Sequence, residues 1–438
     1  MTQILDESNN SPALWRNRRF MAAWVGQTVS DLGTQVTTLA IPLVAVLTLH
    51  ASTFQVGVLR ALSMLAFLVV ALPAGPLVDR WSRRSVMLWC DLLRALVMVG
   101  LPVAVVLDLL AMWQLYVAAL LIGFASVVFG VAFDSYRVGI VPKSRLAEAN
   151  ARFAVTESVS RFSGPSIGAT LVSWMGAVAA LAVDALSYLV SFAFLAKWAD
   201  DTSEQREDRA QTRRPISLRV LVREVGAGIS FVRSHHVLSR ITAYVAVGNL
   251  SLYASIAVML VFMVESLHMN PAVVGFVFAV GEVGGFLAGL LAARVMRRVG
   301  SARTLCLAAV CAPVGYIPML ASPENAVWVL ALFMFASSAR YVAFDIAQYT
   351  YRQSMCPPQL LGRMNASIRW VVGSAGAAGS LTGGWLGVLL SPRLTLAIAA
   401  TVLTLGALLL LLSPLRQARD FQDLDEHPDA GRTSKSLA

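Results

Sequence analysis

Long apolar runs alternate with short polar breaks along this chain, and the breaks alternate in turn between strongly basic and nearly neutral. A helix needs roughly 20 predominantly apolar residues to cross a bilayer. Six runs of that kind occupy the first half: Phe20 to Leu49, Phe54 to Val78, Val86 to Leu107, Met112 to Phe133, Ala151 to Val172 and Ala177 to Trp198. Six more follow residues 199–240: Ile241 to Val264, Val273 to Ala292, Ala302 to Leu320, Ala326 to Phe344, Ala366 to Leu390 and Leu394 to Leu412. The runs are too continuous for barrel strands, and open sheet edges cannot face lipid, so helices are the consistent solution. The pattern predicts an all-α integral membrane protein, with twelve transmembrane helices in two six-helix bundles, residues 20–198 and 241–412. Residues 1–19 and 413–438 are read as polar terminal segments.

The intervening segment has two parts. Asp200 to Arg214 carries almost no apolar residue and reads as a solvated linker. Beyond it, Leu218, Leu221, Val222, Val225, Ile229 and Val232 recur at helical spacing, with Arg219, Arg223, Glu224 and Arg233 on other faces. That pattern predicts an amphipathic helix at the membrane surface.

Composition agrees with the pattern. Of 438 residues, 57% are hydrophobic and 14% charged, against about 45–50% and about 25% in ordinary soluble domains. A net charge of +10 raises the question of a nucleic-acid partner. The arginines, however, sit in alternate loops: Arg16 to Arg19, Arg80 to Arg84, Arg137 to Arg145, the linker, Arg294 to Arg303, Arg352 to Arg363 and the tail from Arg416. This is the positive-inside distribution, so no nucleic acid is implied and both termini are expected in the cytoplasm. Met1 to Arg19 contain no apolar stretch of their own, which reads as an uncleaved first span. The four cysteines, Cys90, Cys306, Cys311 and Cys356, lack metal-ligand spacing and read as buried free thiols. No metal site or phosphate-binding loop is recognisable, and neither an enzyme nor an ATP-driven machine is expected.

The sequence also repeats itself. Gly75-Pro-Leu-Val-Asp79-Arg80-Trp-Ser-Arg83-Arg84 is echoed by Gly289-Leu-Leu-Ala-Ala293-Arg294-Val-Met-Arg297-Arg298. Arg137, Pro142 and Asn150 are echoed by Arg352, Pro357 and Asn365, and Gly164-Pro165-x-x-Gly168 by Gly379-Ser380-x-x-Gly383. Matched features in one order imply a duplication and two pseudo-symmetric halves.

On these residues the chain resembles the major facilitator superfamily. Gly75-x-x-x-Asp79-Arg80-x-x-Arg83-Arg84 is similar to that superfamily's loop motif between helices two and three, with Ser82 where Gly is usual. Gly26-Gln27 and Ser30-Asp31-Leu-Gly33 in the first span resemble a bacterial branch of drug, macrolide and enterobactin-type siderophore exporters. Gly164, Pro165 and Gly168 resemble the core of an antiporter motif. The arginine that many drug antiporters carry in helix four has no counterpart between Trp113 and Gly130. The resemblance implies export by alternating access in the bacterial cytoplasmic membrane, with an importer or facilitator on the same fold as the alternative, a small amphiphilic substrate, a proton gradient rather than a cofactor as energy source, and a monomer. It further implies a gate in which Asp79 faces the eleventh span near Arg369 and Arg83 meets Asp134. Arg297 and Asp345 would form the analogous pair, beside Arg294.

Within the spans, ionisable residues are costly and mark candidate transport sites. Asp31 lies about eleven residues, roughly 16 Å, into the first span, and reads as a proton carrier or as a helix-joining hydrogen-bond partner. Glu282, among Gly281, Gly284, Gly285 and Gly289, reads as a second carrier or a packing residue. Glu157 and Arg161 share a helix face and are expected to neutralise each other, with Glu157 a third carrier candidate. Gln27, Arg161, Asp184, Tyr244, Tyr253 and Arg340 complete the possible cavity lining.

Overall fold

The structure, a computed structural model, describes residues 14–70, 81–141, 145–198, 226, 228–356 and 358–421. Its twelve long helices, among the described residues, are α1 (Arg18–Leu49), α2 (Thr53–Val70), α3 (Arg83–Val106), α4 (Met112–Ile140), α5 (Leu146–Met175), α6 (Ala177–Trp198), α7 (His236–Val261), α8 (Pro271–Val299), α9 (Ser301–Val310), α10 (Ala326–Met355), α11 (Pro358–Leu389) and α12 (Pro392–Leu411). No strand occurs among the described residues. Gly75, Asp79 and Arg80 of the hairpin, Pro142 and Pro357 of the repeat, and most of the linker lie outside the described residues.

Local chemistry sets the helix ends. Asn17 caps α1, its Oδ1 accepting from the amides of Arg19 and Phe20 at 3.1 Å each, and its Nδ2 ties that end to the Ile140 carbonyl at 3.0 Å. Ser82 caps α3 and Ser391, followed by Pro392, caps α12. Turns after α1, α3 and α7 pass through His50, Asp108 and His268 at positive φ, a conformation that Asp and His tolerate better than most residues.

Several helices outrun the apolar stretches that announced them. α4 runs on to Ile140, α8 to Val299 and α10 to Met355, while α5 starts at Leu146 and α11 at Pro358. The large extensions are all at the basic-loop ends, where hydropathy stops at the first charges but the helical hydrogen-bond ladder does not. The ninth span departs more. Pro313 has no amide hydrogen and its ring crowds the preceding turn, so α9 ends at Val310 and continues as a 3₁₀ segment, Ala312–Leu320.

Ten helices are long and apolar enough to cross a membrane among the described residues; α5 and α11 are not in that set. α5 carries Glu148, Arg152, Glu157 and Arg161, and α11 is rich in Gly and Ser. Large apolar side chains stand on the outer surface, Trp174 at 83% and Leu409 at 68% exposure, as expected where the surroundings are hydrocarbon.

The helices form two compact units, residues 1–51, 58–218 and 270–275 in one, and residues 52–57, 219–269 and 276–438 in the other. In the first, α1 packs on α5 and α6, and α3 on α4 and α6. Phe20, Phe133 and Phe153 interlock edge-to-face, with centroids 5.3–5.8 Å apart. In the second, α7 packs on α11 and α12, and α9 on α10 and α12. The chain after α12 is not a free tail up to Phe421: Leu415 and Phe421 are buried, and Asp420 Oδ1 accepts from the Ser301 amide at 2.8 Å.

The glycine motifs explain the matching joints. A Cβ on Gly164 would strike Gln35 and one on Gly168 would crowd Val36 at 3.1 Å, so α5 lies backbone-close on α1. Gly379 and Gly383 stand in the same way against the backbone of Leu250 and Ala254, joining α11 to α7.

Candidate functional site

In the first unit, one face of α6 presents Asp184, Ser187, Tyr188 and Ser191, at positions i, i+3, i+4 and i+7, all buried. Thr37 of α1 donates to Asp184 Oδ2, and Ser187 Oγ donates to Asp184 Oδ1 at 2.8 Å. The Tyr188 hydroxyl meets Thr34 Oγ1 at 3.1 Å. Gly33 makes the approach possible, because a Cβ there would collide with Asp184 and Ser187. Asp184 is therefore buried in the α1–α6 joint, a helix-joining position that departs from the cavity lining expected of it in the sixth span.

Next to it lies a pair that sequence reasoning missed. Asp91 and Arg94 of α3 are buried and ion-paired. The guanidinium carbon of Arg94 sits 4.5 Å from the ring centroids of both Phe129 and Tyr188, within electrostatic reach of Asp184. The signal was present in Cys90-Asp91-Leu-Leu-Arg94, two opposite charges at i, i+3 interrupting an otherwise apolar span.

The other first-unit candidates are dispersed. Asp31, half-buried on α1, accepts from Gln27 Nε2 at 2.7 Å, so Gln27 orients the acid. Asp134 pairs with Arg137 at 3.2 Å, one turn away on its own helix, and not with Arg83. Arg84 is spent on the carbonyls of Leu195 and Ala196 at the end of α6, at 3.3 and 2.5 Å, a favourable place for a cation. Glu157 is exposed on α5, and the side chains of Arg161 and Pro165 lie outside the described set.

The second unit holds an open site instead. A cavity of about 290 Å³ lies among α7, α8, α10, α12 and the 3₁₀ segment, and Tyr244, Phe278, Glu282, Arg340, Phe344 and Asp345 are among the residues lining it. Close packing places them: a Cβ on Gly281 would crowd Met334 at 3.1 Å and one on Gly284 would strike the backbone of Phe335, which brings Glu282 beside α10. Arg340 Nη1 donates to the Tyr244 hydroxyl at 3.2 Å, and the Tyr244 and Phe344 rings lie 4.8 Å apart. Arg340 has no carboxylate partner among the described residues. Asp345 accepts from Gln348 Nε2 at 2.8 Å, and not from Arg297, which is exposed near the end of α8 with Arg294. Arg369 is exposed on α11, and Tyr253 is outside the cavity lining. Aromatic and aliphatic walls with a few convergent charges suit an amphiphilic small molecule. Among the described residues no cluster of His, Cys, Asp and Glu has the makings of a metal site. Cys90, Cys306 and Cys356 are buried free thiols, whereas Cys311, at the helix break, is exposed.

Two units built from matching helices, with an amphiphilic cavity inside the apolar surface, fit a multi-pass membrane transporter. The chain belongs to the transmembrane secretion effector family of the major facilitator superfamily, whose model matches residues 9–431. It is 25% identical over 394 residues to the MFS-type transporter YfiS of Bacillus subtilis (strain 168), covering 86% of this chain and 90% of that one. It is 24% identical over 411 residues to the enterobactin exporter EntS of Escherichia coli O127:H6, covering 91% and 93%. Among solved structures the fold matches a bacterial homologue of the iron transporter ferroportin, with TM-score 0.70, 13% identity and 91% and 99% coverage. It also matches the nucleoside transporter NupG, with TM-score 0.69, 12% identity and 90% and 98% coverage.

Proposed function

We propose that this protein is a proton-coupled exporter that moves amphiphilic small molecules, of drug, macrolide or siderophore type, out of the bacterial cytoplasm by alternating access. The observation that carries the reading is the second-unit cavity, where Glu282 and Arg340 share aromatic and aliphatic walls. A carboxylate in such a place exchanges a proton at the site where a substrate binds, and linkage between the two is what couples transport to a pH gradient. Similarity to an enterobactin exporter supports the outward direction, which fold alone does not set. Asp31, held by Gln27, is the carrier candidate of the first unit. The protein works as a monomer in the cytoplasmic membrane, with its termini and linker on the cytoplasmic side, and needs no cofactor.

Proteoliposomes with an imposed pH gradient test the reading. Asp31→Asn and Glu282→Gln are expected to abolish gradient-driven efflux of an amphiphilic drug while leaving substrate counterflow, which needs no net proton movement. Undiminished gradient-driven export by both variants would overturn the coupling. Higher drug accumulation in cells that make the protein would overturn the direction.

A further inference from the structure

On the outer face of the second unit, α9 and α12 leave a groove of about 680 Å³ between them. Its walls are aliphatic: Leu307 and Val310 from α9, Leu408 and Leu412 from α12, each more than half exposed. Two exposed guanidiniums, Arg303 and Arg416, close one end. Neither side chain has a hydrogen-bond or ion-pair partner among the described residues.

The surroundings exclude simpler accounts of these two cations. The first turn of α9 is not an open anion site, because the amides of Ala302 and Arg303 already donate to the Arg419 carbonyl at 3.1 and 3.3 Å. Asp420, four residues after Arg416, is engaged by the Ser301 amide and hydroxyl and lies 3.9 Å from Arg419 Nε. A third guanidinium, Arg240, donates to the Leu412 carbonyl at 3.2 Å and adds positive charge at the same end. Two like charges beside hydrocarbon-facing side chains repel each other and are poorly hydrated. One dense anion bridging both, with a hydrocarbon tail below it, satisfies charge and groove together.

We infer that this groove is a binding site for an anionic phospholipid. Its phosphate bridges Arg303 and Arg416, and one acyl chain lies along Leu307, Val310, Leu408 and Leu412. The site is separate from the transport cavity and does not depend on the substrate or the coupling ion. Among the described residues a headgroup amine finds no uncommitted carboxylate beside the two arginines, so phosphatidylglycerol is preferred to phosphatidylethanolamine.

Native mass spectrometry of the full chain, released from detergent with equal amounts of the two lipids, tests this. Wild type is expected to retain phosphatidylglycerol preferentially, and Arg303→Gln/Arg416→Gln to lose the preference, with about fivefold contributed by each arginine. The thermal unfolding midpoint in detergent separates loss of the site from loss of the fold: added phosphatidylglycerol should raise it for wild type and not for the double variant. If the double variant does not fold, Leu408→Gln/Leu412→Gln, which keeps both arginines and spoils the acyl track, must lower lipid retention instead. Equal retention of both lipids by wild type, or an unchanged preference in the folded double variant, overturns the proposal. So does displacement of the lipid by soluble glycerol phosphate, which would make this a headgroup site alone.

Discussion

The two units share a helix plan and differ in what fills its centre. Residues 215 positions apart correspond, as in Arg137 and Arg352 or Gly164 and Gly379. By that register Asp184 falls on Ala399, Tyr188 on Leu403, Ser191 on Gly406 and Phe129 on Phe344. In the first unit the long polar side chains of α6 are buried, and Arg94 of α3 stacks on Tyr188. In the second the corresponding α12 residues Ala399 and Leu403 are small or aliphatic and line the cavity. In that register, positions that carry the first unit's polar cluster correspond to positions that line the second unit's cavity. One half of a duplicated fold has become a packed, charge-stitched body, and the other has kept room for a guest.

Arg94→Met should produce the largest effect. It leaves Asp91 and Asp184 in a sealed interior without their cation, and breaking a buried pair from one side costs about 3–5 kcal/mol. The unfolding midpoint in detergent should drop sharply and recover in part in Arg94→Met/Asp91→Asn, which removes one of the stranded charges. A midpoint unchanged by Arg94→Met would mean that the cluster is hydrated, and the contrast between the units would fail.

Smaller effects are expected at the joints the units share. Alanine at Gly379 puts a methyl into the backbone of Leu250, which cannot yield locally. At Gly164 it meets the Gln35 side chain, part of which can rotate away. Overpacking of this kind costs about 1–3 kcal/mol, so both variants should lower the midpoint, Gly379→Ala by more. If only one of them does, the two joints are not equivalent despite their matching glycines.

The helix plan was legible because bilayer thickness dictates the length of each apolar run, and because the glycine joints are written as spaced motifs. Helix ends beyond the first charges were not legible, since hydropathy reports where the membrane ends and not where the hydrogen-bond ladder does. The site was read unevenly. Glu282, Tyr244 and Arg340 were singled out as acid, aromatic and base within spans, and the structure brings them to one cavity. Asp184 was singled out for the same reason and sits in a helix joint. Which face of a helix meets a neighbour depends on Gly33 across the joint, a partner 151 residues earlier in the chain. Asp91 and Arg94 carried a visible signal, two opposite charges one turn apart, that only their burial distinguishes from a surface pair.

The smallest effect on stability, and the sharpest use of the comparison, comes from the matched substitution Arg340→Met. Arg340 is half-buried, has no carboxylate partner among the described residues and makes one hydrogen bond to Tyr244. Removing it breaks no ion pair among the described residues and forfeits one hydrogen bond, about 1–2 kcal/mol, so the unfolding midpoint should stay closer to wild type than that of Arg94→Met. Transport should respond the other way. Losing the only guanidinium that lines the cavity among the described residues weakens the hold on any substrate acceptor there, so KM for an amphiphilic substrate bearing such a group should rise several-fold while the protein remains folded. A variant as unstable as Arg94→Met would place Arg340 among structural charges and leave the second unit's cavity without its proposed substrate contact.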